Sequence, residues 1–171
     1  MTVHVFIVGF MGAGKSTVGP LVAEGLSLPF VDLDQRIAEG AGKPIAAVFE
    51  EDGEDSFRRA ESAELAKVLS GPASVVACGG GIVLDPVNRV LMAAGGVVVY
   101  LAVSDEAALE RVGGGRGRPV LGDDPRRAVR ELMEARRGLY ESAADVAVDT
   151  TDADPAEVAE CVLGLVEARA G

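Results

Sequence analysis

The sequence predicts an α/β fold, a three-layer domain in which a five-stranded parallel sheet is flanked by helices. Strand-like segments alternate with helix-like segments, and the strand-like segments are almost entirely apolar. Strands of that kind are buried on both faces, as in parallel sheets that helices cover on each side. Glycines and aspartates follow the first three strands, at the edge where such sheets bind ligands.

The strands are predicted from short runs of apolar, often β-branched residues that end at glycine, aspartate or a polar segment. These runs cover residues 3–8, 29–34, 74–78, 96–103 and 146–149. Because all five are short and apolar, we expect them to form one central sheet.

The helices are predicted from apolar residues at helical spacing. They cover residues 15–26, 57–69, 104–112, 125–142 and 155–169. Ser-Asp-Glu opens the third of these, and Gly71-Pro72 stops the second. Between the second strand and the second helix, residues 35–56 are expected to form short helices and loops, because glycine and proline interrupt them.

Composition predicts one soluble domain. The 171 residues are 49% hydrophobic, which is enough for a substantial core. The net charge of −11 argues against nucleic acid or an anionic membrane surface as a partner, because both require a basic footprint. Two cysteines are too few for a disulfide framework and indicate the cytoplasm, and no apolar run is long enough to span a membrane.

Residues 9–16 match the pattern G-x-x-x-x-G-K-[ST], with a predicted strand before and a helix after. Glycines let the backbone wrap closely around phosphates, and the helix start adds the positive end of its dipole. We expect Lys15 to reach the β- and γ-phosphates and the Ser16 hydroxyl to bind Mg²⁺. The pattern predicts nucleotide binding, but it does not identify what accepts the phosphate.

Asp32 and Asp34 end the second predicted strand. Residues two apart on a strand point to the same side, so both carboxylates are expected to face the phosphate loop. One would hold Mg²⁺ through water, and the other would accept a proton from a substrate hydroxyl. The alternative is that Asp34 only caps the next helix. The third strand, 74–78, has no acidic residue for the metal, which favours Asp32 in that role.

Charged residues also fall on apolar helix faces. Arg136 lies within the stripe formed by Val129, Leu132, Met133, Leu139 and Tyr140, and an inward arginine needs an anion, from either the protein or a ligand. Glu61 lies on an apolar face beside Arg58, where the simpler interpretation is a surface ion pair.

Two glycine-rich segments complete the candidate site. The loop 113–124 carries Arg116 and Arg118 among glycines, as expected of a lid that closes over phosphates, although a solvated loop is the alternative. Gly79–Gly81 follow the third strand and either offer N–H groups to a substrate oxygen or form a tight turn.

Taken together, the motifs GFMGAGKST, DLD, FRRAE, CGGG, RGRPVL and RRGLY resemble the shikimate kinase family over essentially the whole chain. The resemblance implies a nucleoside-monophosphate-kinase-like P-loop fold, with a core of residues 1–33, 61–111 and 125–171, a substrate-binding subdomain at about 34–60 and a lid at about 112–124. It also implies a cytoplasmic monomer that transfers the γ-phosphoryl group of ATP to the 3-hydroxyl of shikimate in aromatic amino-acid biosynthesis.

For the ATP side, the resemblance implies binding by the phosphate loop, Arg111 stacked on adenine, contact with Pro155, and Mg²⁺ held by Ser16 and, through water, Asp32. The phosphate-loop residues are Gly12, Ala13, Gly14, Lys15, Ser16 and Thr17. Arg118 is the implied lid arginine that touches both substrates, and together with Lys15 and Asp34 it forms the catalytic set.

For the acceptor side, the resemblance implies that Asp34 binds the 3-hydroxyl and that Arg58 and Arg136 clamp the shikimate carboxylate. Glu61 would orient an arginine or a hydroxyl, and the glycines Gly79, Gly80 and Gly81 would line the ring. A related kinase for gluconate or a nucleoside monophosphate is the nearest alternative, because its substrate also needs an anion clamp. A nucleotide-controlled switch is the alternative from another class.

Overall fold

The structure, a computed structural model, describes residues 3–112 and 123–170. Its five strands are β1 (His4–Val8), β2 (Phe30–Asp32), β3 (Val75–Ala77), β4 (Gly96–Ala102) and β5 (Val146–Asp149). They form one parallel sheet in the order β2-β3-β1-β4-β5. This confirms the predicted five-stranded parallel sheet. The central strand β1 is buried along its whole length, as expected of a strand covered on both faces.

Eight helices connect the strands in the described part of the chain. They are α1 (Lys15–Leu26), α2 (Leu33–Ala41), α3 (Ile45–Asp52), α4 (Glu54–Leu69), α5 (Pro86–Gly95), α6 (Asp105–Arg111), α7 (Pro125–Ala143) and α8 (Pro155–Ala170). A 3₁₀ turn at Ile82–Leu84 precedes α5. Helices α1 and α8 pack together and against the sheet, whereas α5 and α7 both contact β4.

Most helices begin where a short polar side chain can cap them. Ser104 accepts a hydrogen bond from the backbone N–H of Ala107, so the predicted start of α6 is confirmed. Asp85 caps α5 in the same way and Pro86 follows it, although no helix was predicted in that part of the chain. Helix α4 begins at Glu54, three residues before the predicted start.

Two apolar clusters stabilise the fold. The larger one surrounds the sheet and includes Phe6, Leu101 and Met133. The smaller one consists of Ile37, Val48 and Phe57, with Ile45, Phe49 and Ala60 packed against it. It joins α2, α3 and the start of α4 into a layer at one side of the cleft described below. Within the two described ranges, no helix combines the length and the apolar character that a membrane crossing requires.

Candidate active site

One cleft of about 940 Å³ opens beyond the carboxyl ends of β1, β2 and β3. Most of the predicted site residues line it together. They are Gly12, Gly14, Lys15, Ser16, Thr17, Asp32, Asp34, Arg58, Gly79, Gly80, Gly81, Arg111 and Arg136. Ala13 and Glu61 are buried beside the cleft, and Pro155 is an exposed first residue of α8. Arg116 and Arg118 lie outside the described residues.

The phosphate loop connects β1 to α1, as the motif predicts. Gly12 and Gly14 have φ values of 78° and 95°, in the left-handed region that glycine adopts without strain. Helix α1 begins at Lys15, so its first N–H groups and the positive end of its dipole face the cleft. Lys15 Nζ donates to the carbonyl oxygens of Gly9 at 2.7 Å and Phe10 at 2.9 Å. The loop is therefore shaped for an anion.

Asp32 and Asp34 lie close to the phosphate loop, but not for the reason that the sequence suggested. The strand ends at Asp32, and Asp34 lies in the first turn of α2. Asp32 is the N-cap, because its Oδ1 accepts from the backbone N–H of Gln35 at 3.2 Å. The argument from strand alternation was wrong, and so was the alternative in which Asp34 is the cap. Both carboxylates still line the cleft, because α2 begins at its edge.

Ser16 and Asp32 form the oxygen-rich corner of the cleft. The Ser16 hydroxyl donates to Asp32 Oδ2 at 2.9 Å, so two oxygen ligands of the kind that Mg²⁺ prefers lie beside the phosphate loop. Over residues 3–112 and 123–170, no group of three or more His, Cys, Asp and Glu side chains forms a separate metal site.

Arg58, which lines the cleft, forms an ion pair with Glu61, which is buried behind it. Arg58 Nη1 donates to Glu61 Oε2 at 2.9 Å, and the Glu61 side chain is only 1% exposed. Burial raises the pKa of the Glu61 carboxyl, while the Arg58 guanidinium acts in the opposite direction. A surface ion pair is therefore the wrong description. Within the described chain, Glu61 Oε1 and Arg58 Nε are both buried without a hydrogen-bond partner.

Aromatic rings fix the place of Arg58. Its guanidinium carbon lies 5.2 Å from the centroid of the Phe57 ring and 5.8 Å from that of Phe49. These rings favour the cation through their negative faces. A Cβ on Gly81 would lie 2.1 Å from Arg58 Nη1, so the guanidinium packs directly on the glycine loop. Sequence reasoning missed both aromatic residues, although Phe57 begins the predicted helix 57–69.

Arg136 is buried on α7, as its place in the apolar stripe predicts. Its side chain is 5% exposed and lines the cleft, while Arg126, Arg130 and Arg137 are exposed. Among the residues that the structure describes, no carboxylate forms an ion pair with Arg136. An inward guanidinium without a carboxylate from the described chain is suited to an anionic ligand.

Arg111 joins the phosphate loop to the segment after β5. It donates to Gly12 O at 3.1 Å, to Thr150 O at 2.6 Å and to Thr151 O at 2.9 Å, and its Nη1 lies 3.3 Å from Thr150 Oγ1. Thr150 Oγ1 also lies 3.0 Å from Ala13 O. Sequence reasoning missed Thr150, and its only signal was that it follows a strand at the ligand-binding edge.

The comparisons with known proteins agree with this geometry. A profile of the family described as shikimate kinase matches residues 11–167. The chain is 45% identical over 170 residues to a shikimate kinase of Streptomyces avermitilis, and the alignment covers 99% of each chain. It is 44% identical over 164 residues to one of Stenotrophomonas maltophilia, covering 95% of this chain and 89% of the relative.

A solved structure is similar over the same extent. The shikimate kinase of Acinetobacter baumannii in complex with shikimate matches with a TM-score of 0.94 and 34% identity, covering 99% of this chain and 95% of that one. The phosphate loop, the paired aspartates and the inward arginine thus lie in a chain that resembles these kinases from end to end. This chain belongs to the shikimate kinase family.

Proposed function

We propose that this protein transfers the γ-phosphoryl group of ATP to the 3-hydroxyl of shikimate, giving shikimate 3-phosphate and ADP, within aromatic amino-acid biosynthesis. The observation that carries the proposal is Arg136, a buried guanidinium in the cleft for which the described chain provides no carboxylate partner, in a chain similar to a kinase solved in complex with shikimate. The carboxylate of shikimate supplies the missing anion, and a planar guanidinium binds it through two parallel hydrogen bonds.

The cleft divides into two regions that suit the two substrates. Gly12–Thr17 and the start of α1 receive the phosphates of ATP through backbone N–H groups and Lys15. Arg58, Arg136 and Gly79–Gly81 line the opposite region, which receives the acceptor. Asp34, on the first turn of α2, lines the cleft close to Gly79 and faces the acceptor hydroxyl in our proposal.

The proposed reaction is one in-line displacement. Asp34 takes the proton of the 3-hydroxyl as the hydroxyl oxygen forms a bond to the γ-phosphorus, and the bond from that phosphorus to the bridging oxygen of ADP breaks. Lys15 and, in the lid, Arg118 neutralise the charge on the phosphates. Phosphoryl transfer depends mainly on such positioning and charge neutralisation.

Mg²⁺ is the expected cofactor, because P-loop enzymes bind their nucleotide with it. The Ser16 hydroxyl and the Asp32 carboxylate fit this ion, since they place oxygen ligands beside the phosphate loop. We propose that Ser16 binds it directly and Asp32 through water. When bound, the metal supplies positive charge that offsets the charge of the β- and γ-phosphates.

The remaining expectations are part of the same proposal. Residues 34–60 form the substrate-binding subdomain, 112–124 the lid, and Arg111 with Pro155 the adenine site. The chain works in the cytoplasm as a monomer, without nucleic acid or membrane as a partner. Four hydrogen bonds hold the guanidinium of Arg111 at the edge of the phosphate loop, and the residue is still exposed, which supports its role toward adenine.

The test is ADP release by the purified protein with Mg·ATP and one acceptor at a time: shikimate, gluconate or a nucleoside monophosphate. We expect turnover with shikimate alone and negligible ATP hydrolysis without an acceptor. Turnover with gluconate or a nucleoside monophosphate would show that shikimate is not the acceptor. ATP hydrolysis that no acceptor stimulates would indicate a nucleotide-controlled switch. Near-normal turnover of Asp34→Asn would contradict the role of Asp34 as the base, but it would not affect the assignment of shikimate as the acceptor.

A further inference from the structure

Tyr140 on α7 contacts the acceptor region of the cleft without lining it. Its side chain is fully buried, and its hydroxyl donates to the carbonyl oxygen of Gly80 at 2.5 Å. Gly80 belongs to the glycine loop that lines the cleft. The hydroxyl therefore fixes a peptide unit of the site from below, across 60 positions of sequence.

Arg136 reaches the same glycine from one helical turn earlier. Positions 136 and 140 lie on one face of α7, four residues apart. A Cβ on Gly80 would lie 3.6 Å from the Tyr140 hydroxyl oxygen and 3.7 Å from Arg136 Nη1. Burial raises the pKa of the Tyr140 hydroxyl well above its usual range, and Arg136 opposes this through its charge and a side-chain hydrogen bond. The hydroxyl thus stays protonated and remains a donor.

The Tyr140 ring cannot easily move away from this position. It stacks on Tyr100 of β4, with ring centroids 5.2 Å apart and an interplanar angle of 20°. Both rings are buried in the main core. A ring packed between a helix and the central sheet places its hydroxyl at one point, where it can fix the positions of the neighbouring Gly80 and Arg136 groups.

We propose that the Tyr140 hydroxyl is a positioning group for the acceptor site. It holds the Gly80 peptide and the Arg136 guanidinium in the relative positions in which both contact the acceptor. This inference rests on the proposed function and adds a residue outside the cleft that tunes affinity for the acid. Tyr140 touches neither substrate and acts through Arg136 and Gly80. Its loss should therefore weaken acceptor binding and leave ATP binding unchanged.

The experiment compares Tyr140→Phe with Tyr100→Phe. The first variant keeps the stacked ring and removes only the hydroxyl. The second removes the hydroxyl of the other ring in the stack, which lies near Arg137 and Asp149 rather than the cleft. We expect the KM for shikimate to rise about five- to tenfold in Tyr140→Phe, as for the loss of one hydrogen bond, and the KM for ATP to stay within about twofold.

Two further readouts separate positioning from stability. Calorimetric titration of shikimate without nucleotide should show the same loss of affinity in Tyr140→Phe, and Tyr100→Phe should match the wild type. A fall in Tm with unchanged shikimate affinity would make Tyr140 a structural residue only and would overturn the proposal. Equal losses in both variants would overturn it too.

A labelling experiment covers the case in which Tyr140→Phe does not fold. The whole chain has only two tyrosines, so 3-fluorotyrosine gives two ¹⁹F resonances, which Tyr100→Phe assigns. Shikimate should shift the Tyr140 resonance and leave that of Tyr100 in place, and no shift would overturn the inference. If the wild type instead turns over another acceptor, the proposed function fails, and the same measurements with that acceptor still test Tyr140.

Discussion

Arg58 Nη1 donates to Glu61 Oε2 across one turn of α4, and the acid of this pair is almost completely buried while the base lines the cleft. A buried carboxylate costs free energy unless it is paired. Glu61 is therefore suited to hold Arg58 in place, because the pairing that relieves its own burial also fixes the guanidinium.

Replacing Glu61 with glutamine should lower acceptor affinity selectively. The amide keeps the shape but loses the charge that anchors Arg58, so we expect the KM for shikimate to rise about tenfold with little change in that for ATP. Steady-state kinetics with each substrate varied would measure this. Glu64→Gln is the control, because Glu64 pairs with Lys67 at the same spacing on the same helix, where Lys67 is 67% exposed. Equal effects of both variants would refute the role of Glu61.

Replacing Arg136 with methionine should separate function from stability. We expect shikimate affinity to fall about 100-fold, as for the loss of charge-assisted hydrogen bonds, while the free energy of unfolding stays equal or rises. The fold should not suffer, because the variant removes a buried charge that has no carboxylate partner in the described chain. Arg130→Met, on the exposed side of α7, is the control. A large loss of stability in Arg136→Met would indicate a structural ion pair instead.

Replacing Thr150 with valine should weaken ATP binding. The hydroxyl lies 3.0 Å from Ala13 O and 3.1 Å from Ala102 O, so it ties the phosphate loop to β4. We expect the KM for ATP to rise about fivefold and that for shikimate to stay constant. Thr151→Val is the matched control, because the Thr151 hydroxyl accepts a hydrogen bond from Ser104 N and, within the described residues, makes no hydrogen bond to the phosphate loop. An unchanged KM for ATP in Thr150→Val would contradict this bracing role.

Replacing Gly81 with alanine should displace Arg58, because the new methyl group would lie 2.1 Å from its Nη1 atom. We expect a large loss of shikimate affinity together with a loss of stability, because the displaced guanidinium leaves the buried Glu61 carboxylate without its partner. Gly138→Ala offers the contrast. It has open space around the added carbon in mid-helix, and it should stabilise the fold by about 0.5–1 kcal/mol without changing either KM. Chemical denaturation and kinetics would show both effects.

His4 predicts a pH dependence of stability. It is the only histidine of the chain, it lies 3.0 Å from Ser74 Oγ through Nδ1, and burial lowers its pKa. Between its lowered folded pKa and the ordinary value of 6.5, the unfolded chain binds the extra proton. Stability should therefore fall as the pH drops below about 6.5 and level off below the folded pKa. Urea unfolding at several pH values should show that the free energy of unfolding depends less on pH in His4→Gln than in the wild type. NMR titration of the single imidazole would give its pKa in the folded protein directly.

Local patterns were sufficient for much of the site. The phosphate loop was predicted because the strand, glycines, lysine and helix all lie within one short stretch. Arg136 was predicted to be buried because helical spacing placed it among apolar residues. The predicted end of the second strand at Asp34 was wrong. The strand ends two residues earlier, at Asp32, because Asp32 accepts the capping hydrogen bond from Gln35 and starts α2. Arg118 and the lid remain predictions, since Arg118 and residues 113–122 lie outside the described residues.

The sequence by itself determined the order of the five strands and of most helices, the anion-binding loop and the inward charges, because each depends on interactions among residues a few positions apart. Only the tertiary structure decided which side chains meet. Chain order does not reveal the sheet order β2-β3-β1-β4-β5, and packing across it brings Tyr140 to Gly80 and Thr150 to the phosphate loop. Those contacts join residues 60 and 137 positions apart, a separation at which no local pattern carries information.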